Sequence, residues 1–250
     1  MATVLITGAA KRIGRAIALD MARNGYDVVI HHHKSFGQAA ELVAEITSLG
    51  VKAVEVSCDF KNRTEVAQLL FNAQKAIGSS IDILINNAAV YEKDTFDTVT
   101  DESWDLHMGV NLHAPFVLAQ AYAKSLPDNI QGNIINIIDQ RVWKLNPKFM
   151  SYTLSKSGLW TLTQTMAQAL APNIRVNAIG PGPTLASKHQ KRDSFTSEEK
   201  NVLLKTGPKL EEISAAIQFI LNSPSLTGQM IALDGGQHLA WQTPDINIDE

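Results

Sequence analysis

Seven short apolar runs, alternating with longer amphipathic stretches, constrain the fold of this chain more than any other feature. The runs are Val4–Thr7, Asp27–His31, Lys52–Ser57, Ile83–Asn86, Asn133–Ile138, Arg175–Ile179 and Met230–Leu233. Each is four to six residues long and apolar on both faces, the pattern of parallel strands covered by helices on both sides. Between them lie helical patterns such as Ile13–Asn24, Gln38–Leu49, Arg63–Ile77 and Tyr152–Leu170. This alternation predicts an α/β fold, a doubly wound parallel sheet of seven strands with helices on both faces. At 250 residues, 45% of them hydrophobic, the chain can bury one large core. No repeat or linker divides it. One domain is expected over residues 1–240, followed by a tail, 241–250, that either reaches a neighbouring subunit or stays disordered. The irregular, Ser-, Lys-, Thr- and Pro-rich region 180–207 reads as a lid over a binding site or as a mobile surface loop.

The charge balance narrows the partners. A net charge of −3 leaves no electrostatic footprint for nucleic acid or an anionic membrane. The single cysteine, Cys58, excludes a disulfide framework and points to a reducing compartment. The apolar start, Met1 to Ile6, has no basic leader and runs directly into glycine, so it reads as a strand and not a signal peptide. No apolar stretch approaches the roughly 20 residues of a membrane span. A soluble, cytoplasmic protein is expected.

The turn Thr7-Gly8-Ala9-Ala10-Lys11-Arg12-Ile13-Gly14 joins the first strand to the first helix. Glycines there let main-chain amides approach a pyrophosphate, which the helix N-terminus favours electrostatically. Gly8, Lys11, Arg12, Ile13 and Gly14 are therefore candidate dinucleotide contacts. The second strand ends in His31-His32-His33-Lys34-Ser35, without the carboxylate that NAD-preferring enzymes place against the ribose hydroxyls. Donors and a cation at that position suit a 2′-phosphate, which selects NADPH, with His31, His33, Lys34 and Ser35 as its contacts. A metal site is excluded because strand alternation sends His32 opposite to His31 and His33. Ser35 and Gln38 are spaced as a capping box for the second helix. Asp59, after the third strand, is either an acceptor for the adenine amino group or an ordinary loop carboxylate.

Tyr152 and Lys156 lie four residues apart on a predicted helix, and so share a face. A phenol near pKa ~10 is a poor acid at neutral pH, and a neighbouring cation lowers that value. Lowering it by about three units takes about 4 kcal/mol, more than one lysine supplies alone. By chance, any long helix can carry such a pair.

Taken in order, the glycine turn, Asn86-Asn87-Ala88-Ala89, Asn111, Tyr152/Lys156, Arg175-Val176-Asn177-Ala178-Ile179-Gly180-Pro181-Gly182 and Asp234-Gly235-Gly236 resemble the short-chain dehydrogenase/reductase family over nearly the whole chain. The resemblance implies a single-domain Rossmann fold and a homotetramer. It implies Tyr152 as catalytic acid/base, Lys156 on the nicotinamide ribose and lowering the tyrosine pKa, and Asn111 holding a relay water. It adds Asn87, Ala88, Ala89, Pro181 and Gly182 to the cofactor contacts.

Two departures narrow the reading. Arg12 stands where the family has the middle glycine of the turn, and Asp139 stands where it has a serine, thirteen residues before the tyrosine. An ionised carboxylate cannot donate a hydrogen bond to a ketone oxygen. Both departures, with the His31–Ser35 segment and an aromatic residue at Tyr91, are similar to the pteridine reductase branch. That branch implies NADPH-dependent reduction of a pterin such as dihydromonapterin, with Arg12, Tyr91, Asp139 and Tyr152 against the substrate. Each match also has a plain structural reading: Arg12 on solvent or a cofactor phosphate, Tyr91 as loop packing, Asp139 paired with Arg141. The alternatives are a 3-oxoacyl thioester reductase and a non-catalytic NADP-binding regulator. Lys188–Lys200 matches no substrate motif.

Overall fold

The computed structural model describes residues 1–186 and 192–241. The elements run β1 (Thr3–Ile6), α1 (Arg12–Arg23), β2 (Asp27–His32), α2 (Phe36–Thr47), β3 (Ala53–Ser57), α3 (Arg63–Ile77) and β4 (Ile83–Asn86). Next come α4 (Asp101–Met108), a π-helical turn (Gly109–His113), α5 (Ala114–Ser125), β5 (Gly132–Ile137), a short 3₁₀ turn (Gln140–Val142) and α6 (Met150–Leu170). The chain continues through β6 (Ile174–Pro181), α7 (Arg192–Lys200), α8 (Leu210–Leu221), β7 (Met230–Leu233) and a final 3₁₀ turn (Gln237–Leu239).

All seven strands pair in parallel in the order β3-β2-β1-β4-β5-β6-β7. The expected doubly wound sheet is therefore present. Alternate residues on each strand feed two cores. Val4, Ile6, Val28 and Ile30 pack with Ile17, Leu42, Ile46 and Ile217 on one face. Leu5, Val29, Leu84 and Ile134 pack with Leu69, Leu118, Tyr122 and Met166 on the other. Each fully buried Leu or Ile contributes about 1.5–3 kcal/mol of transfer free energy, so both faces are firmly held. Strand order reverses between β1 and β4, and the carboxyl ends of those strands open a crevice where ligands bind in such sheets.

Sequence patterning locates the strands to within two residues, and the expected irregular region is where it fails most. β6 continues to Pro181, because Pro181 pairs with Leu233 of β7. The region also contains α7, whose sequence RDSFTSEEK has too few apolar residues to show a helical period. Residues 187–191 of the expected lid and 242–250 of the expected tail lie outside the described residues. Among the described residues no helix is long and apolar enough to cross a membrane.

Candidate active site

Helix α6 carries both Tyr152 and Lys156. Its N-cap, Phe149, sits at φ 59°, and Asp94, from the segment after β4, supplies what a capping side chain would. The Asp94 carbonyl accepts from Phe149 N at 2.7 Å, and its carboxylate accepts from Ser151 N at 3.2 Å. One turn in, Tyr152 and Lys156 are both buried on the same face. Lys156 Nζ donates to the Ile137 carbonyl at the end of β5, 2.8 Å away. Asp139 follows that strand; its Oδ1 accepts from Arg141 N at 2.8 Å and its Oδ2 accepts from Tyr152 Oη at 2.8 Å.

These contacts reverse one expectation. Lys156 was to lower the pKa of Tyr152, but the phenol is raised well above its ordinary value, first by burial and then by the Asp139 carboxylate. Two unit charges 4 Å apart interact by about 4 kcal/mol at an effective dielectric of ~20, and the energy falls with distance. The carboxylate touches the phenol, while Lys156 Nζ is 6.0 Å from the ring centroid. Burial also raises Asp139, against the opposing Arg141 amide and guanidinium. Lys156 is lowered to about 8 by burial, with Asp139 acting the other way. Tyr152 Oη thus donates to a carboxyl group whose charged form, like that of the phenol, burial disfavours.

Asn111 lies in the π-helical turn and is fully buried. Its side chain accepts from Val90 N at 2.9 Å and donates to Val90 O and to Ser155 Oγ, each at 3.0 Å. The amide is therefore committed to protein partners. Tyr91 stacks on Phe149, with centroids 4.3 Å apart, and meets Tyr152 edge-on at 4.7 Å. Its Oη accepts from Arg141 Nη2 at 3.4 Å, and burial pushes its pKa up to about 12. One ring face is thus already covered by protein. Phe149 and Arg141 were not identified as site residues from sequence, and a positive φ at a phenylalanine leaves no signal there.

Arg12, Tyr91, Asp139 and Tyr152, the four expected substrate contacts, line a single cavity of about 430 Å³ with Lys156, Pro181 and Gly182. Phe195 and Glu198 of α7 line it as well, so part of the expected lid faces the site. Arg12 takes φ 56° and donates to the carbonyls of Ala186 at 2.9 Å and Leu185 at 3.2 Å. It ties the glycine turn to the loop after Gly182.

An adjoining cavity of about 400 Å³ is lined by Gly8, Lys11, Arg12, Ile13 and Gly14 of the turn, by His31, His33 and Ser35, and by Asp59, Asn87, Ala88 and Ala89. Lys34 is exposed at its edge. A Cβ on Gly14 would stand 2.4 Å from Gly8 O, and one on Gly8 would stand 2.9 Å from Ala88 Cα at a φ of +64°. Only glycine permits this turn, packed against the end of β4, and the resulting cradle fits a pyrophosphate. Asn87 holds the turn there by donating to Thr7 O at 2.8 Å and Gly8 O at 3.2 Å.

The histidine run divides as alternation requires, and His31 is not free to grip a phosphate. Its Nδ1 accepts from Gly8 N at 3.1 Å, so its Nε2 carries the proton and donates to Cys58 O, also at 3.1 Å. The ring stacks on Phe60 at 4.4 Å, and burial lowers its pKa to about 4. It is a neutral brace between the glycine turn and the end of β3. His32 points the other way, to Glu55 at 3.3 Å and to the edge of Phe36. His33 is exposed, 3.4 Å from Asp59, which also accepts from Lys61 N. The expected Ser35–Gln38 capping box is not formed. Ser35 caps α2 in position only, at φ −101°, ψ 47° and without a side-chain bond, because that backbone is not the extended N-cap conformation. Among the described residues no cluster of three His, Cys, Asp or Glu side chains is disposed to hold a metal.

With this geometry in view, the comparisons with known proteins agree. The profile of the short chain dehydrogenase family matches residues 2–197. The FolM alternative dihydrofolate reductase 1 of Brucella suis, solved in complex with NADP, superposes with a TM-score of 0.94 at 45% identity, over 98% of each chain. A 3-oxoacyl-[acyl-carrier-protein] reductase of Synechocystis is 31% identical, over 93% of this chain and 95% of its own. A short-chain type dehydrogenase/reductase of Picea abies is 32% identical, over 93% and 91%. The turn, the sheet order and the Tyr152/Lys156 pair thus have one explanation: this chain belongs to the short-chain dehydrogenase family.

Proposed function

We propose that this NADP-dependent oxidoreductase reduces a C=N bond of a pterin. The observation that carries the reading is the buried Asp139 carboxylate, bonded to Tyr152 Oη at 2.8 Å where the family pattern has a serine. The 45% identity to a dihydrofolate reductase of the FolM type supports it.

When bound along the glycine turn, NADPH would supply a hydride for the ring carbon of the C=N bond. The adjoining nitrogen gains a proton, delivered by Tyr152 or by Asp139, whose carboxyl burial shifts toward its neutral form. Tyr152 donates to Asp139 and passes on a replacement proton. Lys156 holds the cofactor ribose and steadies the charge that remains on the pair. Asn111 anchors the relay water through the main chain of its turn. Arg12, together with the uncovered side of Tyr91, orients the flat ring, and the 2′-phosphate falls to His33, Lys34 and Ser35. Gly8, Lys11, Ile13, Gly14, Asp59 and Asn87–Ala89 cradle the rest of the dinucleotide. The same reading puts a homotetramer in the cytoplasm.

A second reading, a 3-oxoacyl thioester reductase, is favoured by the Synechocystis relative. Steady-state rates with NADPH and NADH against dihydrobiopterin, dihydromonapterin and acetoacetyl thioester separate the two. Pterin turnover with NADPH at least tenfold above thioester turnover is expected. The reverse order would assign the site to ketone reduction.

A further inference from the structure

Behind Tyr152 lies a second polar network, buried at His107, Ser151 and Asp94, that the proton path does not use. His107, on the last turn of α4, has no exposed surface. Its Nε2 accepts from Glu92 N at 3.1 Å, so in the neutral ring the proton is on Nδ1. That nitrogen is 2.9 Å from Ser103 O and 2.7 Å from Ser151 Oγ. The Ser151 hydroxyl donates in turn to Asp94 Oδ2, which also accepts from Ser103 Oγ at 3.2 Å. Every donor and acceptor of the imidazole is matched only when it is neutral, and burial lowers its pKa in the same sense.

The order is histidine, serine, carboxylate, with serine in the middle. A nucleophilic triad needs the histidine between the other two, so this array activates nothing. What it does is hold a loop. Tyr91 lies on the irregular segment between β4 and α4, and both of its chain neighbours are clamped. Val90 is held by Asn111 through two hydrogen bonds, and Glu92 is held by His107. Further along, Asp94 joins the same segment to the first turn of α6 through Phe149 N, Ser151 N and Ser151 Oγ. The Tyr91 and Phe149 rings stack between these ties, and His107 itself meets Tyr152 edge-on at 6.0 Å.

We propose that His107, acting through Ser151 and Asp94, is a positioning residue that sets Tyr91 beside Tyr152 and so fixes the width of the slot for a flat substrate. That the occupant is a pterin rests on the reading above; the positioning role does not.

The test uses His107→Leu, His107→Gln and Ser151→Ala in the NADPH-loaded full chain. Leucine removes all three imidazole contacts, to Glu92, Ser103 and Ser151, whereas glutamine keeps one acceptor and one donor at similar spacing. In His107→Leu, amide exchange across residues 88–95 is expected to rise at least tenfold, with the NADPH Kd within twofold of wild type. Ser151→Ala is expected to raise exchange in the same segment by a smaller factor, and His107→Gln to restore most of the protection. With the preferred substrate of the wild type, His107→Leu should raise KM at least tenfold and change kcat less than threefold. Unchanged exchange in His107→Leu overturns the proposal, as does a parallel loss of NADPH affinity, which would mark His107 as general scaffold. Should the wild type turn over no pterin, the exchange measurement decides the matter by itself.

Discussion

The two halves of the cleft are built by opposite means. Around the glycine turn the cavity is built on main chain and small residues, braced by His31, which is bonded at both nitrogens and held near pKa 4, with Lys11, Arg12, His33 and Asp59 at its wall. Around Tyr152 the cavity is made by buried ionisable groups that bond to one another, with Asp139 and Tyr152 raised and Lys156 lowered to about 8. The first half is held by the main-chain turn and the His31 brace. The second holds groups whose charged forms burial disfavours, and Lys156 among them is lowered to about 8.

The sharpest way to break this contrast is to remove one partner of the Tyr152–Asp139 hydrogen bond. Tyr152→Phe and Asp139→Ala should each lower kcat by about 10²–10⁴-fold, the range typical of a lost general acid or base. NADPH affinity, measured by fluorescence titration, should stay within twofold in Asp139→Ala. Wild-type turnover in that variant would take Asp139 out of the proton path.

A smaller effect is expected from the other half. His31→Phe keeps the stack on Phe60 but cuts the ties to Gly8 in the turn and to Cys58 beyond β3, so NADPH and NADH affinity should fall together, by about tenfold. That is roughly 1.4 kcal/mol, close to one lost hydrogen bond. A loss confined to NADPH would instead make His31 a phosphate contact.

The mildest prediction concerns pH. Lys156 carries its charge in the fold only below about pH 8, against 10.5 ordinarily. Its ammonium should therefore be lost as pH rises through 8, and kcat/KM should decline there. Between about 8 and 10.5 the folded state binds fewer protons than the unfolded state, so this residue makes stability rise with pH across that window. Thermal melts of wild type and Lys156→Met over that range should converge as pH rises. Parallel curves would show that the lysine is not desolvated.

The same contrast explains how much could be read in advance. Strand Ile83–Asn86 is located to the residue because its composition is set by burial on both faces, and the edge strand Met230–Leu233 is located as well although only Met230 is buried. The glycine turn is legible because its glycines stand at fixed places between a strand and a helix, while the contact of Gly8 with Ala88 shows only in the fold. The 2′-phosphate residues were harder. His31 reads as a donor by position, and only the partners on Gly8 and Cys58, 23 and 27 residues away, show that it is not one. Helix α7 escaped because a polar nine-residue segment has no apolar stripe to follow.

The sequence by itself determined the parallel sheet, the dinucleotide turn and the pairing of Tyr152 with Lys156, since each depends on residues close together in the chain. Only the tertiary structure decided the direction in which Tyr152 titrates, the neutral state of His31 and the clamp on Tyr91. Each of these depends on burial and on contacts between segments brought together only by folding, and no local pattern encodes an electrostatic environment assembled from distant parts of the chain.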